Sequence, residues 1–275
     1  MNKIDVYLIS PLNQPRNKHL VELFSTSPVF NLIQVPAIMT PEFSNVDEAE
    51  IVFDEAVFRN FTGRNFRPAE LGCAASHNEA RKLVSLGETS ALILEDDAVV
   101  KNLNQLFSIL ELFNGILKEE NSILNLTDFL TSGQIISAVD DSEIPDTKFL
   151  KLIGQAPLAV ASFMSPGAAK TLVAGNTPIS WVSDWPRSNC SFYVANVSVI
   201  SHSQETRVSL IDPAGVLARN APKPQGERLF SFLKLLFMIV TNRNRGALLE
   251  RLLNYKILYR IDRIRVQHFV NSLDS

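Results

Sequence analysis

Cysteine is scarce in this sequence. Its 275 residues include two cysteines, Cys73 and Cys190, which lie far apart and lack the spacing of metal ligands. They predict neither a disulfide framework nor a zinc site, as is typical of a protein of the reducing cytosol. Charge appears at Asp5, where a signal peptide would be apolar, so we expect no signal peptide and a cytoplasmic location.

Long apolar runs are also missing. The longest, residues 229–240, is interrupted by Ser231 and Lys234 and is shorter than the roughly 20 residues that span a bilayer. Charge is unevenly distributed, because residues 219–275 hold eleven Lys and Arg against four Asp and Glu in a chain of net charge −3. This basic tail lacks the interleaved aromatic and arginine residues of a nucleic-acid surface, which favours anionic lipid as its partner.

Strand and helix patterns alternate along the chain, and the hydrophobic content of 46% suffices for one good core. Strands are predicted at residues 4–9, 32–35, 91–94, 122–126 and 155–164, and helices at 17–25, 68–87, 103–117 and 167–174. Residues 39–63 have a weak pattern and are expected to be irregular. The alternation predicts an α/β fold. Prolines and glycines in residues 210–224 predict a boundary between a domain of residues 1–212 and a helical tail of residues 213–275.

Three carboxylates, Glu95, Asp96 and Asp97, directly follow the short apolar run of residues 91–94. Such a run is typical of a central strand buried on both faces, and open α/β sheets bind ligands at the carboxyl ends of their strands. Adjacent carboxylates repel one another unless a cation compensates, so this acidic triplet predicts a Mg²⁺ or Mn²⁺ site near phosphate oxygens. If strand geometry continues, Glu95 and Asp97 point to the same side. The alternative is a solvated turn or a helix cap.

A second motif precedes the triplet, because residues 68–77 read Pro-Ala-Glu-Leu-Gly-Cys-Ala-Ala-Ser-His. The two motifs together resemble glycosyltransferase family 25, whose members show Glu-Ile-Gly-Cys-x-x-Ser-His ahead of a strand ending in Glu-Asp-Asp; Leu71 replaces Ile here. The family contains lipopolysaccharide galactosyltransferases and collagen galactosyltransferases. Further similarity lies in the Gly-Ala helix at residues 167–172 and in Ser-Asp-Trp at 183–185, so that it covers residues 4–212, with departures at Phe163 and His202.

The resemblance implies a GT-A-like mixed sheet flanked by helices, followed here by the basic helical tail. It also implies Mn²⁺-dependent (or Mg²⁺-dependent) transfer of galactose from UDP-galactose, with inversion, to a lipopolysaccharide or lipooligosaccharide acceptor. The partners would be a nucleotide-sugar donor and a lipid-linked oligosaccharide. Two alternatives remain: a metal-dependent phosphohydrolase of nucleotide sugars, and an inactive nucleotide- or glycan-binding relative.

Residue roles follow from the same resemblance. Asp97 would bind the metal and the pyrophosphate, while Asp184 would be the general base beside Trp185, whose ring would stack on a sugar. A loop aspartate beside a core tryptophan is the alternative. The donor-binding residues are expected to be Arg16, Glu70, Ser76, His77, Glu95 and Asp96, with Glu95 or Asp96 holding the donor ribose or completing the metal shell.

Two further expectations have structural alternatives. Ser76 and His77 would line the donor pocket, or instead form hydrogen bonds that pin their helix to the strand ending at Glu95. Cys73 is expected to behave as a small buried hydrophobe without chemistry. The tail has aliphatic residues at helical spacing among basic ones, which predicts amphipathic helices on the inner face of the cytoplasmic membrane, with packing on the core as the alternative.

Overall fold

The structure is a computed structural model that describes residues 3–11, 17–38, 53–62, 68–116, 121–126, 134–140, 148–153, 160–180, 183, 190–195 and 197–202. Arg16, Asp184, Trp185 and the predicted tail of residues 213–275 lie outside these ranges. The predicted boundary near residue 212 therefore stays a prediction.

Strands and helices alternate in the first half of the described chain, and strands dominate later. In order, the elements are β1 (Ile4–Ser10), α1 (Lys18–Ser25), β2 (Phe30–Pro36), α2 (Glu55–Thr62), α3 (Pro68–Leu86), β3 (Ala91–Glu95), β4 (Ala98–Val100), α4 (Leu103–Ile116), β5 (Ser122–Asn125), β6 (Gln134–Asp140), β7 (Lys148–Ile153), β8 (Ala161–Met164), α5 (Pro166–Gly175), β9 (Ser191–Ala195) and β10 (Ile200–His202). The predicted helix from Pro68 to the glycine at 87 is confirmed as α3.

Eight of the strands form one mixed sheet, in the order β2-β1-β3-β8-β5-β9-β7-β6, while β4 and β10 form a separate antiparallel pair. β1 runs parallel to both β2 and β3, and β5 runs parallel to β9. The strands β8, β7 and β6 join the sheet in antiparallel pairs. The predicted α/β fold with a mixed sheet flanked by helices is confirmed.

Alternating residues of the central strands pack on different layers of helices. In β3, Leu92 and Leu94 belong to a core cluster that includes residues of α1 and α4. Ala91 and Ile93 belong to a second cluster with residues of α3 and α5. Burial on both faces explains why β3 reads as an unbroken apolar run. Residue 95 continues the alternation toward the α3 side of the sheet.

The register aligns the carboxyl ends of three strands. Ile9 pairs with Glu95, and Ser10 pairs with Pro36. The acidic triplet therefore begins at the edge where β1 and β2 also end. Ligands of open α/β sheets bind outside this edge.

One prediction about secondary structure is wrong, because part of the segment expected to be irregular forms helix α2. Asp54 caps this helix: its Oδ1 accepts a hydrogen bond of 2.9 Å from the backbone N–H of Val57. An aspartate followed by a glutamate in the first turn is a helix-start signal that the weak apolar pattern obscured.

Across the described ranges, no helix combines the length and the apolar character needed to cross a bilayer.

Candidate active site

The acidic triplet spans the change from a strand to a turn. β3 ends at Glu95, Asp96 and Asp97 form a turn, and β4 begins at Ala98. We call Asp96 and Asp97 the acidic turn; both side chains are half-buried. The condition that strand geometry continues to Asp97 is not met, since the chain turns after Glu95, as the alternative of a turn after the strand anticipated. Glu95 and the acidic turn therefore have different surroundings.

Glu95 bonds to helix α3. Its Oε1 lies 2.7 Å from Nε2 of His77, and the two side chains are 23% and 1% exposed. With Nε2 protonated, the imidazole donates to the carboxylate. This bond joins the helix of the first motif to the last residue of β3. The structural alternative for His77, a pin between this helix and the strand, is the geometry observed.

Cys73 lies one turn before His77 on the same face of α3. Its Sγ is 3.7 Å from Oε1 of Glu95 and 3.0 Å from Oγ of Ser183. The thiol is half-buried and in a polar environment, so the expectation of a purely hydrophobic role is wrong. The sequence did contain a signal, because a spacing of four residues puts Cys73 and His77 on one helix face.

Arg81 continues this face by one more turn. The side chain is buried, and its guanidinium donates a hydrogen bond of 3.3 Å to the backbone carbonyl of Ser183. Helix α3 thus contacts both the strand end at Glu95 and the residue that directly precedes Asp184. Arg81 was not among the predicted site residues, although the four-residue spacing that relates Cys73 to His77 also places Arg81 on this face.

Ser76 connects α3 to the chain after β2. Its hydroxyl donates to the carbonyl of Gly72 at 2.7 Å and accepts from the backbone N–H of Ile38 at 2.8 Å. The side chain is buried, so its observed role is to hold these segments together. Glu70 is half-buried in the first turn of α3. Direct contact of Glu70, Ser76 and His77 with a donor stays a prediction.

Two hydrogen bonds from residues at the start of helix α1 lie near the edge of the sheet where β1, β2 and β3 end. His19 Nε2 donates to the carbonyl of Ala98, which directly follows the acidic turn, over 3.1 Å. Asn17 Nδ2 donates to Ser10 Oγ over 2.8 Å and so joins the two ends of the segment that contains Arg16. Sequence patterns did not single out these two residues. His19 bonds to Ala98, which is distant in sequence, and Asn17 bonds to Ser10 across a loop.

The residues present fit a hard divalent cation at the acidic turn. Asp96 and Asp97 supply carboxylate oxygens on half-buried side chains. Mg²⁺ and Mn²⁺ prefer such oxygen ligands, and Mg²⁺ is commonly held by one or two carboxylates together with substrate phosphates.

Comparison with known families identifies the class of the protein. The sequence model of glycosyltransferase family 25, described as a family of LPS biosynthesis proteins, matches residues 3–185. The chain belongs to glycosyltransferase family 25. The predicted family is confirmed, and with it a glycosyltransferase of lipopolysaccharide biosynthesis that uses a nucleotide-sugar donor and a lipopolysaccharide-type acceptor. No match was found among curated proteins.

The family 25 match contains both motifs of α3 and β3 and extends through Asp184. It ends before β9 and β10 begin, so these late strands complete the sheets outside the matched range.

Proposed function

We propose that this family 25 member transfers galactose from UDP-galactose, with inversion, to a lipopolysaccharide or lipooligosaccharide acceptor in a reaction that depends on Mn²⁺ or Mg²⁺. The position of the acidic turn carries the proposal. This turn lies at the carboxyl edge shared by β1, β2 and β3, where a sheet of this class binds its ligand. The family supplies the reaction class.

In the proposed reaction, an acceptor hydroxyl oxygen forms a bond to the anomeric carbon while the bond from that carbon to the diphosphate breaks. The hydroxyl proton passes to Asp184, and UDP leaves. Attack from the face opposite the leaving group inverts the anomeric configuration. The role of Asp184 as the base is supported by its place directly after Ser183. Cys73 and Arg81 of α3 both form hydrogen bonds to Ser183.

The acidic turn has the second role. Asp97, with Asp96, would hold the divalent cation, which when bound supplies positive charge that stabilises the departing diphosphate. Arg16 and Glu70 are proposed to contact the donor from the β1–α1 segment and from the start of α3. Glu95 is proposed to act mainly by fixing the strand end on which the acidic turn begins.

The test is UDP release by the purified full chain with Mn²⁺ and a panel of UDP-sugars, each with and without a lipooligosaccharide acceptor. We expect release with UDP-galactose only when acceptor is present, and a β-linked product by NMR. Release without acceptor would instead indicate a hydrolase. Binding of UDP-sugars without turnover, for every acceptor tried, would contradict the proposal in favour of an inactive relative.

We also propose that the basic tail of residues 213–275 contacts the anionic inner face of the cytoplasmic membrane. Its positive charge would attract acidic headgroups, and its aliphatic residues would enter the interface. The full chain should sediment with phosphatidylglycerol vesicles and not with phosphatidylcholine vesicles, and salt should weaken the interaction. Equal sedimentation with both vesicles would contradict an electrostatic contact.

A further inference from the structure

Three side chains of different chemistry meet at the strand end that directly precedes the acidic turn. Cys73, His77 and Glu95 each offer a potential metal ligand atom, and these atoms all lie within 4.8 Å of one another. We call them the Cys73–His77–Glu95 cluster. Two members come from one face of α3 and the third from the end of β3, so the cluster joins two elements that the core also packs together.

The ligand types differ from those of the acidic turn. A thiolate, an imidazole and a carboxylate together suit Zn²⁺, whereas Mg²⁺ and Mn²⁺ prefer oxygen ligands alone. We propose that the Cys73–His77–Glu95 cluster is a binding site for a thiophilic divalent ion, Zn²⁺, separate from the hard-cation site proposed at Asp97. Three protein ligands would leave a fourth position for water.

The three ligand atoms lie within 4.8 Å of one another, so side-chain adjustments of about 1 Å or less bring them to tetrahedral spacing. Tetrahedral ligands with the usual bond lengths to zinc lie roughly 3.3 to 3.8 Å apart. The separation of 3.7 Å between Cys73 Sγ and Glu95 Oε1 already fits. The separation of 2.7 Å between His77 Nε2 and Glu95 Oε1 must widen by about 0.6 Å to reach that range. Rotation of the Glu95 carboxyl can provide this, because its side chain is 23% exposed.

The surroundings of the cluster permit the required protonation states. Ser183 Oγ, at 3.0 Å from Cys73 Sγ, can donate a hydrogen bond to the thiolate that metal binding creates. His77 Nδ1 is buried and has no hydrogen-bond partner within the described part of the chain. No described group donates to Nδ1, so the tautomer with its proton on Nδ1 and Nε2 free for the ion is open. Its cost is a buried N–H without an acceptor in the described part of the chain.

Cobalt(II) provides a direct test, because it enters zinc sites and gives a charge-transfer absorption band when a thiolate binds it. The purified, reduced full chain should develop this band with one equivalent of Co²⁺, and Zn²⁺ should abolish it. Excess Mg²⁺ should leave it unchanged. Absence of the band in folded wild-type protein would overturn the proposal.

Variants locate the site. Cys73→Ser should remove the thiolate band and weaken Co²⁺ binding by about 100-fold or more, since even partners outside the ligand set affect affinity 10- to 100-fold. Cys190→Ser is the matched control and should keep the band, because Cys190 is the chain's other cysteine. A band that survives Cys73→Ser, or one that requires Cys190, would refute the assignment.

Two more variants test the site without removing Cys73 and separate it from the proposed transferase activity. Glu95→Gln should weaken Co²⁺ binding while retaining the thiolate band, which covers the case in which Cys73→Ser fails to fold. Asp97→Asn should bind Co²⁺ at the thiolate as the wild type does, although we expect it to lose transfer. The zinc site and the proposed transferase function can therefore fail independently.

Discussion

Glu95 and Asp97 are two residues apart and carry the same functional group, yet the structure holds them differently. Glu95 is the last residue of a central strand, and its carboxylate bonds to the buried His77. Asp97 lies in the turn between β3 and β4, at the edge of the sheet. Strand geometry ends at Glu95, so a carboxylate that joins two secondary-structure elements and a carboxylate held in a turn stand only two residues apart.

The largest expected effect concerns the acidic turn. Asp97→Asn keeps the shape of the side chain but removes its charge, so we expect turnover to fall by about 100-fold or more, given that metal ions contribute several kcal/mol to such reactions. Initial rates of UDP release at saturating donor provide the measurement, and the melting temperature should stay near that of the wild type. Full activity in this variant would contradict the proposed role.

The next effect concerns Glu95 and tests whether its carboxylate stabilises the fold, in contrast to the catalytic role proposed for Asp97. A double-mutant cycle of His77→Ala and Glu95→Ala, each of which removes one partner of the bond, should give a coupling free energy of about 1.5–3 kcal/mol, the range for a hydrogen bond to a charged group. Urea denaturation of the four proteins measures it. A coupling near zero would show that the bond between His77 and Glu95 does not stabilise the fold. Lys82→Ala, on the exposed face of α3, is the control expected to change little.

A smaller loss of stability is expected for Ser76→Ala. This change removes the acceptor for the backbone N–H of Ile38 and should cost about 1–2 kcal/mol of unfolding free energy. Thermal unfolding measures the loss. Ser85→Ala is a matched control, because Ser85 also donates to a helix carbonyl but its bond is exposed. Equal losses in the two variants would argue against a special role for Ser76.

The smallest effect is predicted at His19, which bonds to the carbonyl after the acidic turn. His19→Ala should lower stability by about 0.5–1 kcal/mol, because a single neutral hydrogen bond contributes that much net. It should also raise the Mn²⁺ concentration needed for half-maximal activity, since the turn loses one support. Unchanged metal dependence would restrict His19 to a purely structural contact.

The sequence predicted the part of the fold in which local pattern and burial agree. β1 and β3 are buried on both faces, and their apolar runs correctly predicted both strands. β4 was missed because it has three residues and depends on pairing with β10, about 100 residues later in the chain. β6 and β7 were missed for a similar reason, since they form by pairing with each other and with β9. Long-range pairing leaves little local trace.

Features of the candidate site that are local in sequence were also predicted, and those that depend on long-range contacts were not. The acidic triplet and the motif on α3 could be recognised because they are contiguous in sequence. The contacts of Cys73 and Arg81 with Ser183 could not, because they join residues more than 100 positions apart. The turn after Glu95, one of the two alternatives that the sequence left open, has a local cause: two successive aspartates favour a turn, and the chain leaves the main sheet there.

The pairing of β4 with β10 has a consequence for how the protein is made. Ala98 opposes His202 in this pair, so a nascent chain that ends before Ile200 has the acidic turn but lacks the strand that secures its far side. At typical rates of synthesis, the ribosome needs roughly 5–20 s to add the intervening residues. During that interval β4 lacks the strand that pairs with it in the described part of the chain, and its edge is available to other chains. Truncated products that lack β10 should therefore aggregate more readily than the complete chain.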